Sequence, residues 1–588
     1  MSGSTTWPAG ILSPTDPRVA ATLQSWVAAA DPENHAGALA AVVARVAHAT
    51  GVDVGLVVDD VAVPADPAVA AVAAERSILR DGGPWLPGLV REQLLSSGDR
   101  RRGGVHHTTP AMASTLVDFA ASCRPFDSES VVVDPAVGGG VFLLAVCEFL
   151  DGDPADRVRQ VRGLDLDPLA VATTAAALQL WSGGAPIPAG SLVVADALAE
   201  PWPFGPASHV LGNPPFLSQL RDRTGRDTSR RASLVARRPE LTGYVDDAAA
   251  FLLAGTDAVT AGGVVALVQP SSMLSARDAA PVRARLAHDA PPVGLWVDGG
   301  RQFAAAVDTV TLVLQKGIAG GPVQRRRGVP ARVEATHPPV TSGSWASLLL
   351  TDTPQITAAD LARGTTLADV ALVTAGFRDQ FYGLRGAVAE AVDGDAALGP
   401  RLVTSGLIDP LTCRWGTTTC RFDKQQWRRP VVDIDAVDPA IRQWVANRLV
   451  PKLVVASQTR VIEAAIDARG DLVPCTPVIA VEPLATAPSL AHLAAALTSP
   501  VASLLLLHDA AGSALSADAM RVSAQAIGGL PLPAPGPAWD AAAAAVEAVG
   551  DSPSVEELVA IGRLTLAAYG LDDRVDILEW WRRRLPDR

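Results

Sequence analysis

Lysine is almost missing from this chain: Lys316, Lys424 and Lys452 are the only three in 588 residues. None is followed by Ser or Thr, which excludes a phosphate-binding loop ending Gly-Lys-Ser/Thr. Cysteine is also scarce, at five residues, which excludes a disulfide framework and points to a reducing compartment. Cys413 and Cys420 have no second pair of thiols near them, so they do not form a zinc pattern. The opening stretch MSGSTTWPAGILSPTD lacks the basic-then-apolar order of a signal peptide. The most apolar long window, 488–507, is interrupted by His492 and Pro500, so no membrane span is expected. A formal net charge of −13 argues against a chain coated in nucleic acid, although phosphate binding depends on local patches. These absences leave a cytoplasmic protein without a membrane partner.

What is present is globular. Hydrophobic residues make up 48% and charged residues 19%, and the length calls for two or three domains. Residues 1–104 are Ala-rich with helical spacing, broken by Pro64, Pro67 and the Gly-Gly-Pro at 82–84. From 105 to 320, short apolar runs alternate with helical stretches: VVVD (131–134), VRGLDLD (161–167), SLVVAD (191–196), HVLGN (209–213), GGVVALVQP (262–270) and TVTLVLQK (309–316). That alternation predicts crossover connections and a doubly wound, mostly parallel sheet of the α/β class. The last two runs have an antiparallel edge pattern. GIAGGPVQRRRGVP reads as a linker, and residues 321–588 are long enough for a domain of their own.

Ligands in such sheets sit at the carboxyl ends of the strands. The first end reads Asp134-Pro135-Ala136-Val137-Gly138-Gly139-Gly140-Val141-Phe142, a Gly-rich turn that lets a ligand approach the backbone. The Asp-Pro is foreign to a dinucleotide fingerprint. The second end carries Asp165 and Asp167; an acid there can grip both hydroxyls of a ribose, or can simply cap the helix that starts at Pro168. The third ends in Asp196, placed to accept from an adenine amino group. The fourth ends in Asn213-Pro214-Pro215-Phe216, where two prolines stop strand pairing.

The ordered set resembles the S-adenosylmethionine-dependent amino-methyltransferases, and specifically the gamma-class N6-adenine DNA methyltransferases. Their cofactor motif Asp-Pro-Ala-x-Gly-x-Gly-x-Phe matches Asp134 to Phe142, and their Asn-Pro-Pro-Tyr/Phe motif matches 213–216. The Thr-Pro that contacts the cofactor in the family matches Thr109-Pro110, with Thr108 replacing the usual preceding aromatic. The resemblance covers about 105–320. It implies a Rossmann-like methyltransferase sheet with an N-terminal helical region (1–104) and a C-terminal α+β target-recognition domain (321–588). It implies S-adenosylmethionine as cofactor, bound by Thr109, Pro110, Asp134, Ala136, Gly138, Gly140, Phe142, Asp165, Asp196 and Asn213. Double-stranded DNA is the implied partner, with subunits of a restriction-modification or phage-defence system beside it.

The chemistry of an aromatic amine fits these residues. Its nitrogen lone pair is delocalised into the ring, so it is a weak nucleophile. The Asn213 side-chain oxygen and the Pro214 carbonyl can accept its two hydrogens, and the prolines fix that carbonyl's direction. Phe216 would stack on a base turned out of the helix, and Phe303 would face its other side. Arg221, Arg223, Arg230 and Arg231 belong to an arginine cluster after the motif that suits phosphate clamping. Arg325-Arg326-Arg327 and RFDKQQWRRP (421–430) are further positive stretches. The same motif serves N4-cytosine, RNA and glutamine targets, and a DNA-binding relative without turnover is the alternative from another class. Pro474-Cys475 is the dipeptide of a cytosine-5 nucleophile but lies far from the sheet. Two residues before the three lysines stand Leu314, Phe422 and Val450, which excludes the Glu/Gln-x-Lys step of the common restriction-nuclease core.

Overall fold

The computed structural model describes residues 16–95, 108–199, 201–216, 228–241, 243, 245–298, 309–356, 361, 364–391, 399–511 and 520–586. The chain divides into two compact units, Met1–Leu348 and Leu349–Arg588.

The first unit is built on a nine-stranded sheet. Its strands are β1 (Val132–Asp134), β2 (Val161–Asp165), β3 (Leu192–Val194), β4 (Ala207–Gly212), β5 (Val259–Pro270), β6 (Pro292–Val297), β7 (Thr309–Gln315), β8 (Val323–Arg327) and β9 (Arg332–His337). They pair in the order β3-β2-β1-β4-β5-β7-β6-β8-β9. From β3 to β5 every pair is parallel, and β7 runs antiparallel to both β5 and β6. Each parallel step needs a crossover. The longer helices are α1 (Pro17–Ala29), α2 (His35–Thr50), α3 (Leu86–Leu94), α4 (Pro110–Cys123), α5 (Val141–Phe149), α6 (Pro168–Trp181), α7 (Thr228–Arg237), α8 (Asp247–Ala258) and α9 (Ala280–Asp289). The strand order reverses between β1 and β4, which is where such sheets open a crevice for ligands.

Local chemistry sets the helix starts. Thr109 caps α4 and accepts from Met112 N at 3.3 Å, with Pro110 at the first helical position, where its missing N–H costs nothing. Asp167 caps α6 and accepts from Leu169 N at 2.9 Å. One hydrophobic core joins Trp26, Leu39 and Val43 of α1 and α2 to Leu143 of α5 and Leu178 of α6. β4 is buried along its whole length. His209 in it bonds Ser208 Oγ at 2.8 Å and the Arg124 carbonyl at 2.9 Å. Burial lowers its pKa to about 4, so it is a neutral core residue.

The expected linker GIAGGPVQRRRGVP is corrected: Val323–Arg327 is β8, parallel to β6. Its arginines are used internally. Arg325 is 1% exposed and pairs with Glu334 of β9. Arg327 forms an ion pair with the same carboxylate at 2.8 Å. The guanidinium of Arg326 lies 4.0 Å from the Phe119 ring centre. β7, expected near the edge, therefore lies inside the sheet.

The second unit is strand-rich, then helical. Its strands of three or more residues are β10 (Ala371–Ala375), β11 (Val388–Glu390), β12 (Arg401–Val403), β13 (Cys420–Phe422), β14 (Gln425–Trp427), β15 (Pro430–Val432), β16 (Lys452–Val455), β17 (Ala464–Asp467), β18 (Leu472–Pro474) and β19 (Ile479–Pro483). They form the sheets β10-β19-β16-β17 and β11-β15-β12-β18 and a separate hairpin β13-β14. Lys452 Nζ meets Asp467 Oδ2 at 2.5 Å with both side chains fully buried. Asp467 also accepts from Asp471 N at 3.1 Å and Leu472 N at 3.0 Å, which offsets the cost of burying the charges. Among the described residues no single helix is long and apolar enough to cross a membrane. The apolar helices Leu490–Leu497 and Pro500–Ala510 are bent by 51° at their break, and most of their residues are buried.

Candidate active site

The parallel pairing brings the carboxyl ends of β1, β2, β3 and β4 to one edge of the sheet. At the end of β1, Asp134 is 1% exposed, and its Oδ1 accepts from Ala136 N at 3.0 Å. A Cβ at Gly212, the residue before Asn213, would lie 2.6 Å from that oxygen. Only glycine lets the ends of β1 and β4 meet so closely. Burial pushes the Asp134 carboxyl up to about 8, and the charge of Asp165 adds to the push. Asp134 is therefore mostly protonated at neutral pH.

Gly138 and Gly140 take φ of +54° and +82°, left-handed values that favour glycine. A Cβ at Gly138 would meet nothing within 4 Å, so the loop presents an open face there. Gly138 N donates to Asp165 Oδ2 at 2.9 Å, and Asp167 N donates to Asp165 Oδ1 at 3.0 Å. Asp165 thus ties the glycine loop to the end of β2, with a second lone pair left on each oxygen. Asp167 is the cap of α6 and also pairs with Arg91 of α3 at 2.5 Å. Asp196 lies two residues beyond β3, half-buried, and accepts from Leu198 N at 3.0 Å. Phe142 is 1% exposed and packs in the core.

Asn213-Pro214-Pro215-Phe216 leaves β4 directly. The Asn213 side chain donates through Nδ2 to Thr108 Oγ1 at 2.9 Å, and Thr108 is 2% exposed. An amide whose nitrogen is held by Thr108 turns its oxygen the other way. Phe216 is half-buried and packs against the edge of the core. Thr108 is the residue that sequence reasoning passed over, because it stands where the resembling family has an aromatic.

α3 was also missed. A Cβ on Gly88 would lie 2.5 Å from the Gly139 carbonyl oxygen, and one on Gly139 would lie 2.5 Å from Gly88 Cα. The helix therefore rests backbone to backbone on the glycine loop. Beside this contact is a small cleft, open to solvent and lined by Trp85, Glu92, Thr108, Pro110 and Val141 among others. The available signal was Gly88 itself, since a glycine inside a helix costs stability unless something must come close.

Arg221, Arg223 and Phe303 lie outside the described residues, and of Arg230 and Arg231 only the backbone, in α7, is described. Among the described residues no cluster of His, Cys, Asp or Glu could hold a metal ion. Cys475 is buried, and burial pushes its thiol up to about 12. It is therefore a poor nucleophile. The open loop face at Gly138 and the carboxylates beyond β2 and β3 fit a nucleoside carrying a positive charge, as S-adenosylmethionine does.

Residues 88–290 match the family model described as N-6 DNA Methylase, a match that begins inside α3. The type IIL restriction-modification enzyme MmeI, solved in complex with DNA, is similar with a TM-score of 0.54 and 13% identity, over 89% of this chain and 86% of that one. At that identity the likeness is one of fold. The type IIG restriction endonuclease BpuSI aligns with a TM-score of 0.46 and 14% identity, over 97% of this chain and 80% of that one. A type I methyltransferase subunit from Streptococcus thermophilus aligns with a TM-score of 0.33 and 17% identity, over 44% and 56%. Residues 88–290 are thus similar to the N-6 DNA methylases, adenine-specific enzymes whose methyl donor is S-adenosylmethionine.

Proposed function

We propose that the protein methylates the N6 amine of adenine at a specific site in double-stranded DNA, as part of a restriction-modification or phage-defence system. The observation that carries this reading is the hydrogen bond from Asn213 to Thr108 at the end of β4. It orients a catalytic amide beside the loop that would hold the methyl donor.

In this reading the residues divide the work. The loop from Asp134 to Gly140 and the carboxylates of Asp165 and Asp196 hold the cofactor, with Thr109 and Pro110 beside them. S-adenosylmethionine supplies an electrophilic methyl group on a sulfonium. The Asn213 oxygen and the Pro214 carbonyl accept the two hydrogens of the adenine amine, which aims its nitrogen lone pair for in-line attack. Pro215 stiffens the turn, and Phe216 stacks on the flipped base. Turning a base out of the duplex costs a few kcal/mol, and one aromatic stack returns about 1–3 kcal/mol. No general base is needed before transfer, because the amine loses its proton only after the nitrogen has become cationic.

The reading takes residues 1–104 as a helical region, 105–320 as the methyltransferase domain, whose sheet runs on through β8 and β9, and 321–588 beyond those two strands as the target-recognition domain. Arg221, Arg223, Arg230 and Arg231 would clamp phosphates, and Phe303 would cover the second face of the base. The site of action would be the cytoplasm, with defence-system subunits as partners. Single-molecule sequencing of host DNA with and without the gene tests the reading. A modified adenine within one short sequence, present only with the gene, supports it; modified cytosine would move the reading to N4-cytosine, and no modified base would sink it.

A further inference from the structure

The positive stretch RFDKQQWRRP folds as the hairpin β13-β14, with Arg421 directly across from Gln426. Its two faces differ. Cys420 and Phe422 are buried, and Phe422 packs with Leu384, Val432 and Ile441. Arg421, Lys424, Gln425, Gln426 and Arg428 are exposed.

The root of the hairpin is pinned. Trp427 Nε1 donates to the Phe422 carbonyl at 3.2 Å. The Glu390 carboxylate accepts from Arg428 N at 3.0 Å and from Arg429 N at 2.6 Å. The two turn residues, Asp423 and Lys424, have φ of +44° and +66°. That is the turn type that joins twisted strands in two residues and usually takes Asn-Gly. Here it carries a charged side chain at each position.

The charge is one-sided. Between 412 and 432 the sequence holds Arg414, which is paired with Asp409 at 3.0 Å, and Arg421, Lys424, Arg428 and Arg429, against a single acid, Asp423. That acid is bound to Arg385 at 2.8 Å. The other two lysines of the chain are spent internally: Lys316 on the carbonyls of Asp257 and Val259, Lys452 on Asp467. Lys424 stands exposed at the tip.

A two-stranded ribbon fits the major groove of B-DNA, about 12 Å wide. Arginine reads guanine there through two acceptors, and glutamine reads adenine through a donor and an acceptor. Cross-strand neighbours stand about 5 Å apart, a spacing suited to adjacent base pairs.

We propose that the β13-β14 hairpin is a base-reading element that enters the DNA major groove, with Arg421 and Gln426 contacting base edges and Lys424 and Arg428 contacting phosphate. The inference rests on the DNA-methylation reading and names residues that set its sequence specificity.

The test uses the full chain in a host lacking adenine methylation. Wild type, Arg421→Ala, Gln426→Ala and the surface control Arg563→Ala are compared by single-molecule sequencing of the host DNA. Thermal melting and S-adenosylmethionine titration of each purified protein run alongside. The expected result is that Arg421→Ala and Gln426→Ala each lower methylation of the wild-type motif about tenfold to a hundredfold. Each should also relax the motif at one base position, with melting, cofactor affinity and the control unchanged. The proposal is overturned if both variants methylate the same motif at the wild-type level. It is also overturned if methylation falls while the motif keeps every position, because phosphate contact alone gives that pattern. If wild type itself modifies no adenine, it is the methylation reading that fails.

Discussion

At the scale of single residues, the proposed transfer depends on which of the two polar atoms of Asn213 would face the base. Thr108 accepts from the nitrogen, so Thr108→Val removes that hydrogen bond from the amide. Methyl transfer should fall roughly five- to twentyfold in single turnover, consistent with a hydrogen bond worth about 1 kcal/mol plus lost orientation. Cofactor affinity should hold and Thr108→Ser should restore the rate; an unchanged rate in the valine variant would deny Thr108 this role. Asp134 makes a second residue-scale prediction. Its folded pKa is raised to about 8, so between about pH 4 and pH 8 the folded chain binds a proton that the unfolded chain releases. Stability contributed by this site therefore declines as pH rises through that window. The urea midpoint of Asp134→Asn should decline less between pH 5.5 and pH 8 than that of wild type. A parallel decline in both proteins would place the pH dependence elsewhere. The places of Asn213 and Asp134 at the strand ends were legible because their motifs are contiguous. Thr108 was hidden because its partner lies 105 residues away.

At the scale of elements, α3 shows what composition conceals. PGLVREQL reads as one more amphipathic helix in an Ala-rich region, yet its backbone touches the glycine loop at Gly88 and its Arg91 holds the cap of α6. Gly88→Ala should reverse the usual helix rule. Alanine normally stabilises a helix interior by up to about 1 kcal/mol over glycine, but here its Cβ would collide with Gly139. The variant should lose about 1–3 kcal/mol and bind S-adenosylmethionine more weakly, read by melting and by titration; a stabilised variant with normal affinity would refute the contact. β8 was illegible for a different reason. Three adjacent arginines read as a solvated run, but paired guanidiniums with apolar stems can line a sheet. Arg325 does so against Glu334 of the neighbouring strand. β6, a short run directly after a helix, gave too few residues for its period to register.

At the scale of the whole molecule, the doubly wound half was legible because parallel strands buried on both faces are near-continuous apolar runs, as VVVD and GGVVALVQP are. The second unit was legible only as a region. Its strands are two to five residues long and pair across long stretches of chain, as Arg401 does with Leu472, so no local pattern records the partner. In the proposed reaction the Asn-Pro-Pro-Phe turn after β4 presents the adenine amine to the methyl group of S-adenosylmethionine. Duplex DNA carrying the host's own sequences, incubated with purified protein and S-adenosylmethionine labelled in its methyl group and then digested to nucleosides, tests this most directly. Wild type should place the label in N6-methyladenine, and Asn213→Ala, with cofactor binding intact, should place almost none. Label absent from DNA with wild type, or undiminished with Asn213→Ala, would contradict the account.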